Sequence, residues 1–188
     1  MENQIKIVEI ETVLAKADEL YTEREISNAL DDMAENINQR LQNKYPLCLS
    51  VMLGGLIPTG QLLPRLNFPL EIDYIHASRY GGNTSGSKDL NWIKYPNISL
   101  ENRTILIIDD ILDQGLTLQA IIKYCQQAGA QEIFTAVLIE KTLDKPRQGI
   151  QQADFTGLIV PNRYVFGYGM DYQGQLRYVP SIYAVHGL

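Results

Sequence analysis

Cysteine and histidine are scarce in this chain, with two of each among 188 residues. Cys48 and Cys125 form no CxxC pair, and His76 and His186 stand far apart in sequence, so a zinc site is not expected. Reduced thiols, and with them a cytoplasmic location, are the simplest account of the cysteines. No apolar stretch approaches the roughly 18 residues that span a bilayer, so no membrane partner is expected. The opening residues, MENQIKIVEIE, have neither a basic region nor an apolar core, so a secretory signal is not expected there. Runs of Lys and Arg are missing too, and the net charge is −6. A nucleic-acid binder usually carries a basic stripe, so no nucleic-acid partner is expected. There is no repeat, low-complexity tract or evident linker. A chain of this length that is 45% hydrophobic suits one domain with a sizeable core.

The most informative stretch that is present runs from Thr104 to Leu118, TILIIDDILDQGLTL. Four apolar residues (Ile105, Leu106, Ile107, Ile108) run into Asp109 and Asp110; Asp113 follows, then Gln114, Gly115, Leu116 and Thr117 lead into a helix-like segment. An unbroken apolar run reads as a strand covered on both faces, the habit of parallel sheets. Ligands of such sheets bind at the carboxyl ends of the strands. Backbone N–H groups of the turn and the dipole of the helix after it form an anion site there. Acids beside a phosphate cradle make sense if they hold a sugar's hydroxyls and a divalent cation.

The rest of the chain alternates in type. Thr22 and Glu25 have capping-box spacing, and Ile26, Leu30, Met33, Ile37 and Leu41 recur at helical intervals, which predicts a helix over about 23–43. LCLSVML (47–53) reads as a buried strand stopped by Gly54-Gly55, with a helix after it that tolerates Pro58 in its first turn. Further strands are read at 70–77, 91–95, 104–109, 132–141 and 155–161, and a helix at 116–128 closed by Gly129. Residues 78–91, SRYGGNTSGSKDLN, have the composition of a mobile loop. This alternation implies an α/β fold with a mostly parallel central sheet.

Polar candidates recur at the predicted carboxyl ends of these strands: Leu53-Gly54-Gly55, Ser78-Arg79-Tyr80, Asp109-Asp110 with Asp113, and Lys141. Taken singly each has a plainer account. A Gly pair after a strand is usually a turn, a strand-end Lys is usually solvated, and a Tyr-rich segment often packs a core. Four at one edge of a sheet suggest a site.

The 104–118 stretch resembles the phosphoribosyl-pyrophosphate signature of type I phosphoribosyltransferases, matching at Asp109, Asp110, Asp113, Gly115 and Thr117. From about Pro46 onward the chain resembles the hypoxanthine-guanine phosphoribosyltransferases. VMLGG (51–55) looks like the family's pyrophosphate loop, SRYGGNTSG (78–86) like its catalytic lid, and VLIEK (137–141) like the strand that delivers a purine-reading lysine. RYVFGYGMDY (163–172) with Arg177 looks like the purine-binding hood.

The resemblance implies a type I phosphoribosyltransferase fold in one domain, its hood built from the N-terminal part and about 155–188. It implies transfer of phosphoribosyl from phosphoribosyl pyrophosphate to hypoxanthine or guanine, with Mg²⁺ as cofactor. The small-molecule substrates are the expected partners, together with further copies of the chain in a homodimer or homotetramer. Asp113 is the expected general base, which geometry must decide. Phosphoribosyl pyrophosphate would be held by Asp109, Asp110, Asp113, Gln114, Gly115, Leu116 and Thr117. Its pyrophosphate would meet Leu53, Gly54, Arg79 and Arg177, and the purine would meet Lys141, Tyr164, Val165 and Asp171. Asp109, Asp110 and Asp171 are the expected metal contacts, and Ser78, Arg79 and Tyr80 belong to the lid. A non-proline cis peptide is expected at Leu53-Gly54.

The chain departs from the family it resembles at Leu53, where many members carry Lys, at Gln114, usually Thr or Ser, and at Asp109, often Glu. Arg79 is a candidate substitute cation for the missing Lys. Leu53 and Gln114 also motivate another reading, a regulator that kept the site but binds nucleic acid. The acidic charge and the retained Asp113 and Lys141 speak against it. Hypoxanthine, guanine and xanthine are not separated by these residues.

Overall fold

The computed structural model describes residues 2–78 and 91–187. Its helices are α1 (Glu2–Lys16), α2 (Glu23–Leu41), α3 (Leu56–Leu62) and α4 (Leu116–Gln127). Its strands are β1 (Asp18–Tyr21), β2 (Leu47–Met52), β3 (Glu71–Ser78), β4 (Asn91–Lys94), β5 (Thr104–Leu112), β6 (Glu132–Lys141), β7 (Phe155–Val160), β8 (Val165–Phe166) and β9 (Ile182–Ala184).

The predicted capping box starts α2. Thr22 N donates to Glu25 Oε2 at 2.9 Å, and Glu25 N donates to Thr22 Oγ1 at 3.4 Å. These bonds satisfy two of the helix's orphan donors. The apolar stripe that follows (Ile26, Leu30, Met33, Ile37, Leu41) is buried as its spacing predicts.

Among the described residues, six strands form the main sheet in the order β4-β3-β2-β5-β6-β7. All neighbours are parallel except β4, which runs antiparallel to β3. Both faces of β5 are covered, which explains its unbroken apolar run. Leu106 and Ile108 join Ile26, Leu30 and Leu62 of α2 and α3 on one side. Ile105 and Ile107 join Leu118, Ile121 and Cys125 of α4 on the other. Cys48 and Cys125 are buried free thiols, each pushed up to about 12 by that burial.

Strand order reverses between β2 and β5. From β2 the chain winds outward to β3, and from β5 it winds the other way to β6 and β7. Such a reversal opens a crevice at the carboxyl ends of the two central strands.

A second sheet, β1-β9-β8, is antiparallel and forms the hood. Arg163 holds it together, donating to Asp18 Oδ2 at 2.6 Å and to the Val185 carbonyl at 2.8 Å. Residues 155–160, assigned from the sequence to the hood, form β7 and pair with β6 in the main sheet. Helix α1 is absent from the sequence reading. Its apolar residues do not form one clean stripe: Ile7 and Val8 face solvent, and Ile10, Val13 and Leu14 pack against hood residues Phe166, Leu176, Val179 and Val185. Only that tertiary contact makes the helix legible.

Candidate active site

The crevice at the carboxyl ends of β2 and β5 is a cleft of about 400 Å³. Leu53 and Gly54 line it from the loop after β2, and Asp109 and Asp110 from the end of β5. Asp113 through Thr117 line it from the turn into α4, and Asp171 and Arg177 from the hood. A smaller cleft of about 200 Å³ adjoins it, lined by Lys141, Tyr164, Val165 and Met170. Asp110, Asp113 and Asp171 line both. The two clefts therefore gather every expected site residue except those of the lid. Arg79 and Tyr80 lie outside the described residues, and Ser78 is the last residue of β3. His76 and Ala77 of β3 also line the larger cleft, although the sequence reading did not single them out.

Asp109 is buried and Asp110 half-buried. Burial, and then the charge of Asp110, hold the Asp109 carboxyl well above the usual carboxylate range. Burial raises Asp110 too, against an opposing hydrogen bond with Asp109 and the attraction of Arg177. Asp109 Oδ1 accepts the Asp110 N–H at 2.9 Å. Asp110 also explains Gly54: a Cβ there would lie 1.9 Å from Asp110 Oδ2. Only a residue without one lets the β2 loop approach the acid so closely.

Gly115, at φ 72°, caps α4 in the left-handed region. Gly115, Leu116 and Thr117 line the cleft, so the start of α4 lies at its wall, where a helix N-terminus favours an anion. Lys141, at the end of β6, donates to Asp113 Oδ2 at 3.1 Å. Arg177 donates to the Gly169 carbonyl at 2.5 Å and to Asp171 Oδ1 at 2.6 Å, and Asp171 Oδ2 accepts the Gly174 N–H at 2.7 Å. Tyr164 is 42% exposed, with its ring edge-on to Tyr172 at 5.8 Å. It lines the smaller cleft, where an exposed ring can stack on a planar ligand.

The cis peptide joins Met52 to Leu53, one bond earlier than expected, at the point where β2 ends. Leu53 is 52% exposed.

The donor set fits Mg²⁺. Two adjacent carboxylates, each disfavoured as an anion by burial, would gain from a nearby cation. Among the described residues no group of three or more His, Cys, Asp or Glu is placed to hold a metal. A metal at Asp109 and Asp110 would then take its other ligands from water and substrate oxygens, as Mg²⁺ commonly does.

Arg147 escaped the sequence reading. It lies in the loop after β6, its side chain only 11% exposed, and hydrogen-bonds the backbone behind the site. A single Arg in KPRQG carries no local pattern that would mark it.

Residues 16–173 match the phosphoribosyl transferase domain family. The chain is 35% identical over 165 residues to the hypoxanthine-guanine phosphoribosyltransferase of Bacillus subtilis, covering 87% of this chain and 89% of that one. A crystal structure of a Staphylococcus aureus hypoxanthine phosphoribosyltransferase superposes with a TM-score of 0.82 at 29% identity, covering 89% of this chain and 90% of that one. A Trypanosoma cruzi hypoxanthine phosphoribosyltransferase variant, solved with its product IMP, superposes with a TM-score of 0.82 at 26% identity, covering 92% and 93%.

Proposed function

Because the chain belongs to the phosphoribosyl transferase domain family, we propose that it works in purine salvage, transferring phosphoribosyl from phosphoribosyl pyrophosphate to N9 of hypoxanthine or guanine to give IMP or GMP and pyrophosphate. The observation that carries this reading is the meeting of Asp113 and Lys141 where the two clefts join, 3.1 Å apart. One group is an acceptor and the other a cationic donor, side by side. A 6-oxopurine offers the complementary edge, an N7 proton and an O6 acceptor.

The sugar phosphate lies in the larger cleft. N–H groups of Gln114, Gly115, Leu116 and Thr117, with the Thr117 hydroxyl, hold the 5′-phosphate. Asp109 and Asp110 hold the ribose hydroxyls. Asp109 and Asp110 would hold Mg²⁺, and Asp171 would contact a second; the metal would supply positive charge to the leaving pyrophosphate and to the ribose oxygens. Arg177 gives pyrophosphate a planar, two-pronged donor. Leu53 and Gly54 contribute backbone, and Arg79, with Ser78 and Tyr80 beside it in sequence, is the further cation proposed for pyrophosphate. In the smaller cleft Tyr164 stacks on the base. The Val165 backbone meets the base edge, and an Asp171 carbonyl accepts guanine's 2-amino group. Asp113 takes the N7 proton as N9 bonds the anomeric carbon. Lys141 donates to O6 and opposes adenine, whose 6-amino group would leave two donors facing each other.

The enzyme acts as a homodimer or homotetramer in the cytoplasm. Exposed Ile72, Tyr74 and Ile93 on β3 and β4 support self-association, and sedimentation tests it. No helix among the described residues is long and apolar enough to cross a membrane.

Nucleotide formation from phosphoribosyl pyrophosphate with hypoxanthine, guanine, xanthine or adenine, each with and without Mg²⁺, tests the function. Mg²⁺-dependent product from hypoxanthine and guanine but little from adenine is expected. Turnover of xanthine at a comparable rate would widen the substrate class. No turnover with any base, although phosphoribosyl pyrophosphate binds, would point instead to a ligand-sensing protein.

A further inference from the structure

Behind the phosphate turn, on the side away from the cleft, runs the segment 147–150 of the loop between β6 and β7. It takes up three successive backbone carbonyls of the turn. Arg147 Nε donates to the Asp113 carbonyl at 2.8 Å. Gly149 N donates to the Gln114 carbonyl at 2.9 Å, and Ile150 N to the Gly115 carbonyl at 3.3 Å. The two backbones touch. A Cβ on Gly149 would lie 2.3 Å from the Gly115 carbonyl carbon, and one on Gly115 would lie 2.4 Å from the Ile150 carbonyl oxygen.

A trans peptide points its C=O and N–H in opposite directions. Holding the carbonyls of 113, 114 and 115 on this segment therefore turns the N–H groups of Gln114, Gly115 and Leu116 the other way, toward the cleft those residues line. The rear contacts set the direction of the anion cradle.

Arg147 also reaches sideways. It donates to the carbonyl of Lys141 and, through a third nitrogen, to the carbonyl of Gln151 at 2.8 Å. Glu140 Oε1 lies 3.3 Å from the guanidinium, and Glu140 Oε2 accepts from Thr156 at 3.1 Å. The Gln151 amide closes the loop on itself, donating to the carbonyls of Arg147 and Gly149 at 2.8 Å each. One rigid fork thus joins the backbone of Asp113 to the backbone of Lys141. A lysine, with a single point of charge, cannot span both.

We propose that Arg147 is a positioning residue: its guanidinium, with the backbone through Ile150, aims the 5′-phosphate cradle and sets its distance from the purine-reading lysine. The inference rests on the functional reading above, and the experiment keeps the two apart. Ribose 5-phosphate binding is measured calorimetrically for the unaltered protein, Arg147→Ala and Arg147→Lys, alongside KM for phosphoribosyl pyrophosphate and the thermal unfolding midpoint. Loss of the fork is expected to weaken ribose 5-phosphate by about tenfold or more, with KM for phosphoribosyl pyrophosphate rising in step. Added guanidinium ion at millimolar concentration is expected to restore part of that affinity in Arg147→Ala and none in Arg147→Lys, where the ammonium fills the space. A residue that only stabilised the fold would lower the midpoint and leave the affinity of the folded fraction unchanged. Unaltered affinity in a folded Arg147→Ala overturns the inference. Should that variant not fold, unaltered affinity in Arg147→Lys overturns it equally. If the unaltered protein does not bind ribose 5-phosphate, the functional reading itself falls, and this inference falls with it.

Discussion

The ammonium of Lys141 lies 3.1 Å from Oδ2 of Asp113, although the two residues are 28 positions apart and stand at the ends of neighbouring strands. Parallel pairing of β5 with β6, in the register Leu112 opposite Glu140, brings them together. In the mechanism proposed here they have separate tasks. Asp113→Asn should lower kcat by about 10²–10⁴ and change KM for phosphoribosyl pyrophosphate far less. Lys141→Met should instead erode the preference for hypoxanthine over adenine. Steady-state rates with both bases separate the two effects, and equal losses from both variants would contradict the division of roles.

Arg177 lies within hydrogen-bond distance of both Asp171 and the Gly169 carbonyl, so it already holds the hood's turn over the larger cleft. A charge-assisted bond contributes about 1.5–3 kcal/mol. Arg177→Ala should therefore raise KM for phosphoribosyl pyrophosphate roughly 10- to 100-fold. Arg177→Lys should recover little, because a single ammonium cannot serve both acceptors and pyrophosphate. Full recovery by lysine would argue that charge alone matters.

Gly54 offers a sharper geometric test. An added Cβ would overlap the carboxylate of Asp110, which can rotate away only by leaving its place in the cleft. Gly54→Ala should keep an unfolding midpoint near that of the unaltered protein while losing about 10²-fold in turnover, the scale expected of a catalytic group displaced by about 1 Å. A variant of normal activity would show that Asp110 needs no fixed position.

Asp73 concerns stability rather than turnover. It is buried on β3, and its carboxylate accepts the N–H groups of Tyr74 at 2.8 Å, Asn97 at 2.6 Å and Ile98 at 3.0 Å. Burial pushes its pKa up, but these three bonds and the charge of Lys94 outweigh it and hold the carboxyl below the usual range. A depressed folded value contributes stability that is present above the unfolded value of about 3.9 and lost as pH falls through the folded one. Acid unfolding should therefore begin below about pH 4 and should be shallower in Asp73→Asn. At neutral pH that variant should cost about 1–3 kcal/mol, roughly 2–4 °C in Tm for each kcal/mol. Thermal melts across pH 3 to 7 check both the sign and the size.

Much of the lining of the candidate site was legible in the sequence because its polar residues are concentrated in short segments. Asp109 through Thr117 carry strand, turn and helix start in nine residues, and Gly115 takes the left-handed conformation its place in the turn suggests. What escaped depends on contacts distant along the chain. Helix α1 lacks a clean apolar stripe and is held by hood residues more than 150 positions away. Strand β1 has only four residues and exists because β9 pairs with it. Arg147 bonds mainly to carbonyl oxygens, which every residue carries, so nothing in the identity of its partners advertises them. The cis bond fell one residue from its expected place because the motif locates the loop and leaves open which of its peptides turns.

The reversal of strand order between β2 and β5 has a kinetic consequence. It makes a seam, with the Leu53–Gly54 loop on one bank and the 113–117 turn and Lys141, at the end of β6, on the other. In the mechanism proposed above, the bond that breaks during transfer would cross this seam, so the departing pyrophosphate and the finished nucleotide would be held by opposite banks. Product inhibition should divide the same way. Substitutions in the β2 loop should alter inhibition by pyrophosphate and spare inhibition by IMP, and substitutions along 113–117 should do the reverse.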